Sequence, residues 1–279
     1  MNLFDRLGRG WNLGIQSLEI ISEHPKLLLF PVLSGSAMVA IVLSFFGAFL
    51  GMTGANPELM NAFGDKLEQL GEVAVYGILF LFYLISYFIV IFFNVALVHN
   101  ARLIFAGEAP SIRAGIQFSS QRAASIFAWA ALAATVGLVL KAIEDKLGSL
   151  VSGLLGFAWS LATYFVVPTL AAEDIGPFDA LRRSSRVIRE RWGESIGAGF
   201  SLGLFFLVGI VLAIIIGFVT GQLFHPGIGV AFGVLTFMLT NIINGAARNI
   251  FLAAAYEHTQ GNTPQQFDHD TLDGVFMQK

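Results

Sequence analysis

The stretch Val73-Ala74-Val75-Tyr76-Gly77-Ile78-Leu79-Phe80-Leu81-Phe82-Tyr83-Leu84-Ile85-Ser86-Tyr87-Phe88-Ile89-Val90-Ile91-Phe92-Phe93-Asn94-Val95-Ala96-Leu97-Val98 carries no charged side chain. A helix rises about 1.5 Å per residue, and about 20 apolar residues cross the hydrocarbon core of a bilayer. This run is long enough to span. It is continuously apolar rather than alternating, which excludes a strand of a membrane β-barrel.

Five further runs read the same way: 27–52, 123–140, 150–171, 193–219 and 228–255. The run at 123–140 is rich in Ala, and the tract 94–105 extends the second helix past the membrane surface. The whole composition agrees. Of 279 residues, 56% are hydrophobic and 13% charged, with mean hydropathy +0.73. Soluble domains carry about 25% charged residues. With half that share a water-exposed surface could not be covered, so the solvent around much of the chain is lipid. The 27 Phe and 30 Gly suit lipid-facing and closely packed helices. No Cys is present, which excludes disulfides, thiolate metal sites and a Cys nucleophile. The opening Met1-Asn2-Leu3-Phe4-Asp5-Arg6 has no signal-peptide core, and the first long apolar run reads as a span.

The net charge of −3 conceals a steep asymmetry. Arg6, Arg9, Lys26, Arg102, Arg113, Arg122, Arg182, Arg183, Arg186, Arg189, Arg191, Arg248 and Lys279 fall on one side of the six runs. Only Lys66, Lys141 and Lys146 fall on the other. Basic residues stay cytoplasmic, so both termini are expected there.

The segments on the basic side have helical periodicity of their own. Phe4, Leu7, Trp11, Ile15, Leu18 and Ile21 recur at three- and four-residue spacing, opposite Asp5, Arg6, Arg9, Asn12, Gln16, Glu19 and Glu23. Phe178, Leu181, Ser185, Ile188 and Trp192 do the same against Asp179, Arg182, Arg183, Arg186, Arg189 and Glu190. Pro177 stands at a first helical position, and a fainter copy runs from Pro110 to Ala123. Amphipathic helices beside a bilayer lie in its interface.

These segments also share letters. Phe4-Asp5-x-Leu7 recurs as Phe178-Asp179-x-Leu181, and Ser17-x-x-Ile20-Ile21-x-Glu23 as Ser184-x-x-Val187-Ile188-x-Glu190. Asn94-Val95-x-Leu97 leads through Gly107 to Pro110, as Asn249-Ile250-x-Leu252 leads through Gly261 to Pro264. The expected fold is an all-α integral membrane protein. It has about six transmembrane helices in three hairpins, each preceded by an amphipathic interfacial helix. One membrane domain, 1–279, then holds repeat units 1–108, 109–175 and 176–262 and a cytoplasmic tail, 263–279.

Chemistry is sparser. Gly199-Phe200-Ser201-Leu202-Gly203 matches the nucleophile-elbow pattern but falls inside an apolar helix, not on a strand-to-helix turn. Gly-x-x-x-Gly spacing there, and at 47/51, 193/197 and 229/233, suits close helix packing instead. Gly8-x-Gly10 and Gly227-x-Gly229 are too short for phosphate loops. The histidines lack metal-ligand spacing, and no cofactor or metal is expected.

Polar residues within the spans cost free energy unless paired. The sixth run carries Thr236, Thr240, Asn241, Asn244, Arg248 and Asn249; the second carries Ser86 and Asn94; the fourth carries Ser160, Thr163 and Tyr164. Arg102, Glu173, Asp174 and Glu257 follow at the ends of these three helices. Asn94, Asn241, Asn244, Arg248, Glu173 and Asp174 are thus candidates for a polar path or binding site for a solute or lipid headgroup. Plain interhelical hydrogen bonds and charged helix ends are the other account. No acidic residue or lysine stands at mid-membrane, which argues against a proton-coupled pump. Trp11, Trp192, Arg182, Arg183, Arg186 and Arg189 are expected at the membrane surface, the arginines facing anionic headgroups rather than nucleic acid.

Arg9-Gly10-Trp11, Pro25-Lys26-Leu27-Leu28-Leu29-Phe30-Pro31-Val32-Leu33-Ser34-Gly35 and Phe267-Asp268-x-x-x-Leu272-x-Gly274-x-Phe276-x-x-Lys279 resemble a family of uncharacterised bacterial and archaeal multi-spanning membrane proteins, catalogued as a domain of unknown function. The resemblance runs over the whole chain. It implies a single domain and a prokaryotic cytoplasmic membrane, and carries over no site residue. The expected function is non-enzymatic: a channel-like or passive transport protein, as a homo-oligomer or with a membrane partner. The alternative is a scaffold or accessory subunit acting through the interfacial helices and tail. An intramembrane enzyme would need paired carboxylates or a His–acid set in the spans.

Overall fold

A computed structural model of the chain describes residues 3–54, 56, 58, 59, 71–191, 197–268 and 272. Regular structure among these is helical: α1 (Leu3–Glu23), a 3-10 turn (Pro25–Leu28), α2 (Leu29–Thr53), α3 (Glu72–Phe105), α4 (Ile112–Gln121), α5 (Ala123–Leu147), α6 (Ser149–Ala162), α7 (Val166–Ala172), α8 (Pro177–Arg191), α9 (Gly197–Leu223) and α10 (Pro226–Thr259). Among the described residues six helical stretches are long and apolar enough to cross a bilayer: Pro25–Phe45, Val73–Phe105, Ala123–Leu147, Ser149–Ala172, Phe205–Leu223 and Pro226–Thr259. The protein is membrane-embedded.

Local chemistry sets where the helices stop. α3 runs unbroken through 94–105 and ends in a glycine cap: Gly107 has φ +77°, and Glu108 N–H donates to Leu103 O at 2.8 Å. α10 ends identically, with Gly261 at φ +88° and Asn262 N–H donating to Glu257 O at 3.0 Å. Only glycine adopts this left-handed cap without strain. α5 continues past the expected stop at 140 to Leu147, because Lys141 pairs with Glu144 and Asp145 along the helix surface. The fourth span is broken. Pro168 has no N–H for Tyr164 O and its ring crowds that carbonyl, so α6 ends at Ala162 and α7 starts at Val166. Ser184 of α8 accepts the freed Phe165 N–H at 3.0 Å.

The core sits at one end of the bundle. Residues 95–98 of α3, Ile126 and Trp129 of α5, Phe165, Val166 and 168–171, and 249–256 of α10 are buried there. The opposite halves of the spans face outward: α6 has no buried residue, and among the described side chains of α9 Ala213 is the buried hydrophobic one. Leu, Ile and Phe exposed along these halves are what hydrocarbon would cover.

α1, α4 and α8 wedge into the core end. Small residues lie on their most buried lines: Gly14 and Ser17, Gly115 and Ser119, Ala180 and Ser184. Ser17, Ser119 and Ser184 are each fully buried, while Ile15 is 45% exposed. Small side chains let these helices approach the spans closely. Phe267 and Leu272 of the tail also enter the core, and Gln266 Nε2 donates to Ile104 O at 3.1 Å.

α9 and α10 lie backbone to backbone. A Cβ on Gly229 would stand 2.5 Å from Gly217 O, and one on Gly233 would stand 3.3 Å from Ala213 O. Gly47, Gly51 and Gly203 show the same spacing in sequence but face open space.

Candidate functional site

A cavity of about 440 Å³ opens where α1, the α6–α7 break, α9 and α10 converge. α10 supplies Asn241, Asn244 and Arg248; helical spacing puts these three on adjoining faces. Phe205 and Phe206 of α9 and Gly14 and Leu18 of α1 form the other walls. Tyr164 closes the site from the break, where loss of helical geometry turns it toward Arg248.

α1 is seated on α9 by one ring. Phe205 occupies the space a side chain on Gly14 would need, and Trp11 stacks on the same ring at 4.1 Å and 7°. Any larger residue at position 14 would have to displace the Phe205 ring.

One wall, on α10, is polar and positive. Arg248 is exposed to the cavity, and its Cζ lies 5.6 Å from the centre of the Tyr164 ring. Among the described residues no carboxylate pairs with it. Asn244 Nδ2 donates to Phe205 O at 3.3 Å, and Asn241 Nδ2 to Phe237 O at 2.7 Å. Each amide keeps a carbonyl oxygen and a second N–H for another partner. Thr240, on the same face by spacing, is turned away: its hydroxyl packs on Gly209 and bonds back to Thr236 O.

The remaining candidates lie elsewhere. Asn94 accepts from Asn249 Nδ2 at 3.3 Å, between α3 and α10. Glu173 belongs to a cluster at the helix ends: its Oε1 accepts from Arg183 Nε at 3.1 Å and from the Tyr256 hydroxyl. Hydrogen bonding to Tyr256 raises the pKa of Arg183, against the opposing effect of its partial burial. Arg102 Nε meets Glu257 Oε1 at 2.5 Å beside it, and Arg102 Nη1 donates to Ala171 O at 2.9 Å. These contacts tie α3, α7, α8 and α10 together. Asp174 is exposed, and so are Arg182, Arg186 and Arg189 on the outer face of α8; Arg182 reaches Asp179 at 3.4 Å. Trp11 is half-buried against Phe205. Trp192 lies outside the described residues.

Sequence reasoning noted Tyr164 as a polar residue within a span without linking it to Arg248. Gly14 was legible as a small residue in the middle of an amphipathic helix. Phe205 had no signal, being one of many apolar residues on α9.

The sequence profile of a family described as "Family of unknown function (DUF6159)" matches residues 73–265, well over half of the chain. No curated protein matches.

Proposed function

We propose that this chain, which belongs to the DUF6159 family of unknown function, is a non-enzymatic passive transport protein of a prokaryotic cytoplasmic membrane. The observation that carries the reading is the cavity with Arg248, Asn241 and Asn244 on its wall. A fixed charge and two amides hold a polar or anionic group without reacting with it. Supplied within a span, they lower the cost of taking such a group out of water.

Both termini are cytoplasmic in this reading, on the strength of the thirteen-to-three split of basic residues. The core end of the bundle then lies at the inner surface, and Arg182, Arg186 and Arg189 of α8 face anionic headgroups. The three-unit architecture belongs to the same reading. It draws support from the matching glycine caps of α3 and α10 and from the three serines buried in α1, α4 and α8. Association of several copies would align their cavities around a shared path. Phe267 and Leu272, seated in the chain's own core, weigh against a tail held out for a scaffold partner.

The test is solute flux into liposomes, using a panel of small anions and neutral polar solutes. The variant carrying Asn241→Leu, Asn244→Leu and Arg248→Leu should lose flux at equal reconstitution. Flux equal to that of the unaltered protein would overturn the reading.

A further inference from the structure

Two glycines on the cavity wall take no part in helix packing. A Cβ on Gly245 of α10, or on Gly203 of α9, would meet nothing within 4 Å beyond its own helix. Neither stands at a positive φ. Gly229, by contrast, is pressed against Gly217 and Gly221. Glycine inside a helix is destabilising relative to alanine. What Gly203 and Gly245 provide in exchange is empty volume beside Arg248.

We infer that this volume takes a small amphipathic organic monoanion, a carboxylate with an aromatic or branched apolar body. The inference rests on the reading of the cavity as a site for a polar or anionic solute and names the class of that solute. Charge supplies the first argument. Arg248 is the one charged side chain lining the cavity, and among the described residues no carboxylate pairs with it. One guanidinium balances one negative charge, and its planar N–H fork matches a carboxylate. The arrangement of the walls supplies the second. Arg248, Asn244 and Asn241 line the α10 side, whereas Phe205, Phe206 and Leu18 line the others. A molecule lying between them needs one polar edge and one apolar edge. Size supplies the third: about 440 Å³ falls in the range of pockets that hold organic molecules. Chloride or acetate would leave water against the two phenylalanine rings, which an apolar body displaces favourably. Asn244 and Asn241 stand about 6 and 10 Å along the helix axis from Arg248. A hydroxyl at the end of the body away from the carboxylate therefore finds an amide.

The experiment is equilibrium dialysis of the full chain in maltoside micelles against radiolabelled 4-hydroxyphenylacetate, with protein-free micelles correcting for partition. One saturable equivalent per chain is expected. Arg248→Gln should weaken binding by about tenfold or more, the scale of a charge-assisted hydrogen bond. Gly245→Leu, which fills the volume from a position with open space around it, should lose the probe, with thermal melting confirming that it folds. The neutral 4-hydroxyphenylethanol, acetate and inorganic phosphate, each in roughly tenfold excess, should leave the probe bound. Absence of saturable binding, an affinity unchanged in either variant, or displacement by any of these three would each overturn the inference. Displacement by an equal concentration of phosphatidylglycerol would assign the site to a lipid headgroup and overturn it as well. If the probe does not bind while flux of another solute still depends on Asn241, Asn244 and Arg248, the solute class alone falls. If flux is also indifferent to them, the cavity reading falls with it.

Discussion

Asn249 of α10 donates its side-chain amide to Asn94 Oδ1 of α3 at 3.3 Å, and the pair is separated by 155 positions. Two turns further on, Arg102 and Glu257 meet at 2.5 Å with the same separation of 155. The two helices therefore run side by side at a constant offset over this stretch. Both then end in the same glycine cap.

The Asn94–Asn249 contact is a modest one. Hydrogen bonds between membrane helices are worth about 0.6 kcal/mol on average and up to about 1.7. A double-mutant cycle with Asn94→Leu and Asn249→Leu, followed by denaturant unfolding in micelles, should give a coupling within that range.

Arg102 and Glu257 matter more, because Glu257 is 15% exposed and loses its counter-charge if Arg102 is removed. Arg102→Leu should cost about 1–3 kcal/mol. The exchange of Arg102→Glu with Glu257→Arg should recover part of it, not all, since Arg102 also bonds Ala171 O. The midpoint of unfolding reads both.

Glycine spacing alone does not identify a helix contact. Gly229→Leu should destabilise by about 1–3 kcal/mol through collision with Gly217 and Gly221. Gly47→Leu, with the same motif but open space around it, should stay within about 0.5 kcal/mol.

The orientation is open to direct labelling because the chain has no Cys. In intact cells an impermeant thiol reagent should reach Lys146→Cys and spare Arg186→Cys until the membrane is permeabilised. The reverse pattern would invert the topology.

The six apolar stretches were legible because each satisfies the length and polarity a bilayer demands, whatever its neighbours. The polar face of α10 was legible for a similar reason: Asn241, Asn244 and Arg248 stand out in an apolar run. What a helix face cannot disclose is its partner. Thr240 shares the spacing but turns into Gly209. Asn94 and Glu173 were grouped with the path, yet Asn249 holds Asn94 Oδ1 and the Arg183–Tyr256 pair holds Glu173 Oε1. α1 shows the same limit in part: of the residues its periodicity marks, Ile21 is buried, while Trp11, Ile15 and Leu18 stay at least partly exposed and Leu13 and Ser17 are buried instead. Burial follows the closeness that small residues permit, which depends on the surface opposite.

Reactivity of Asn244→Cys toward a charged, impermeant thiol reagent in membranes measures most directly whether the cavity admits polar solutes. Leu97→Cys, fully buried, and Val139→Cys, on the outer face of a span, give the references for core and lipid. Labelling of Asn244→Cys well above both is the predicted result. Labelling as slow as theirs would mean that the cavity is closed to polar groups and would contradict the account.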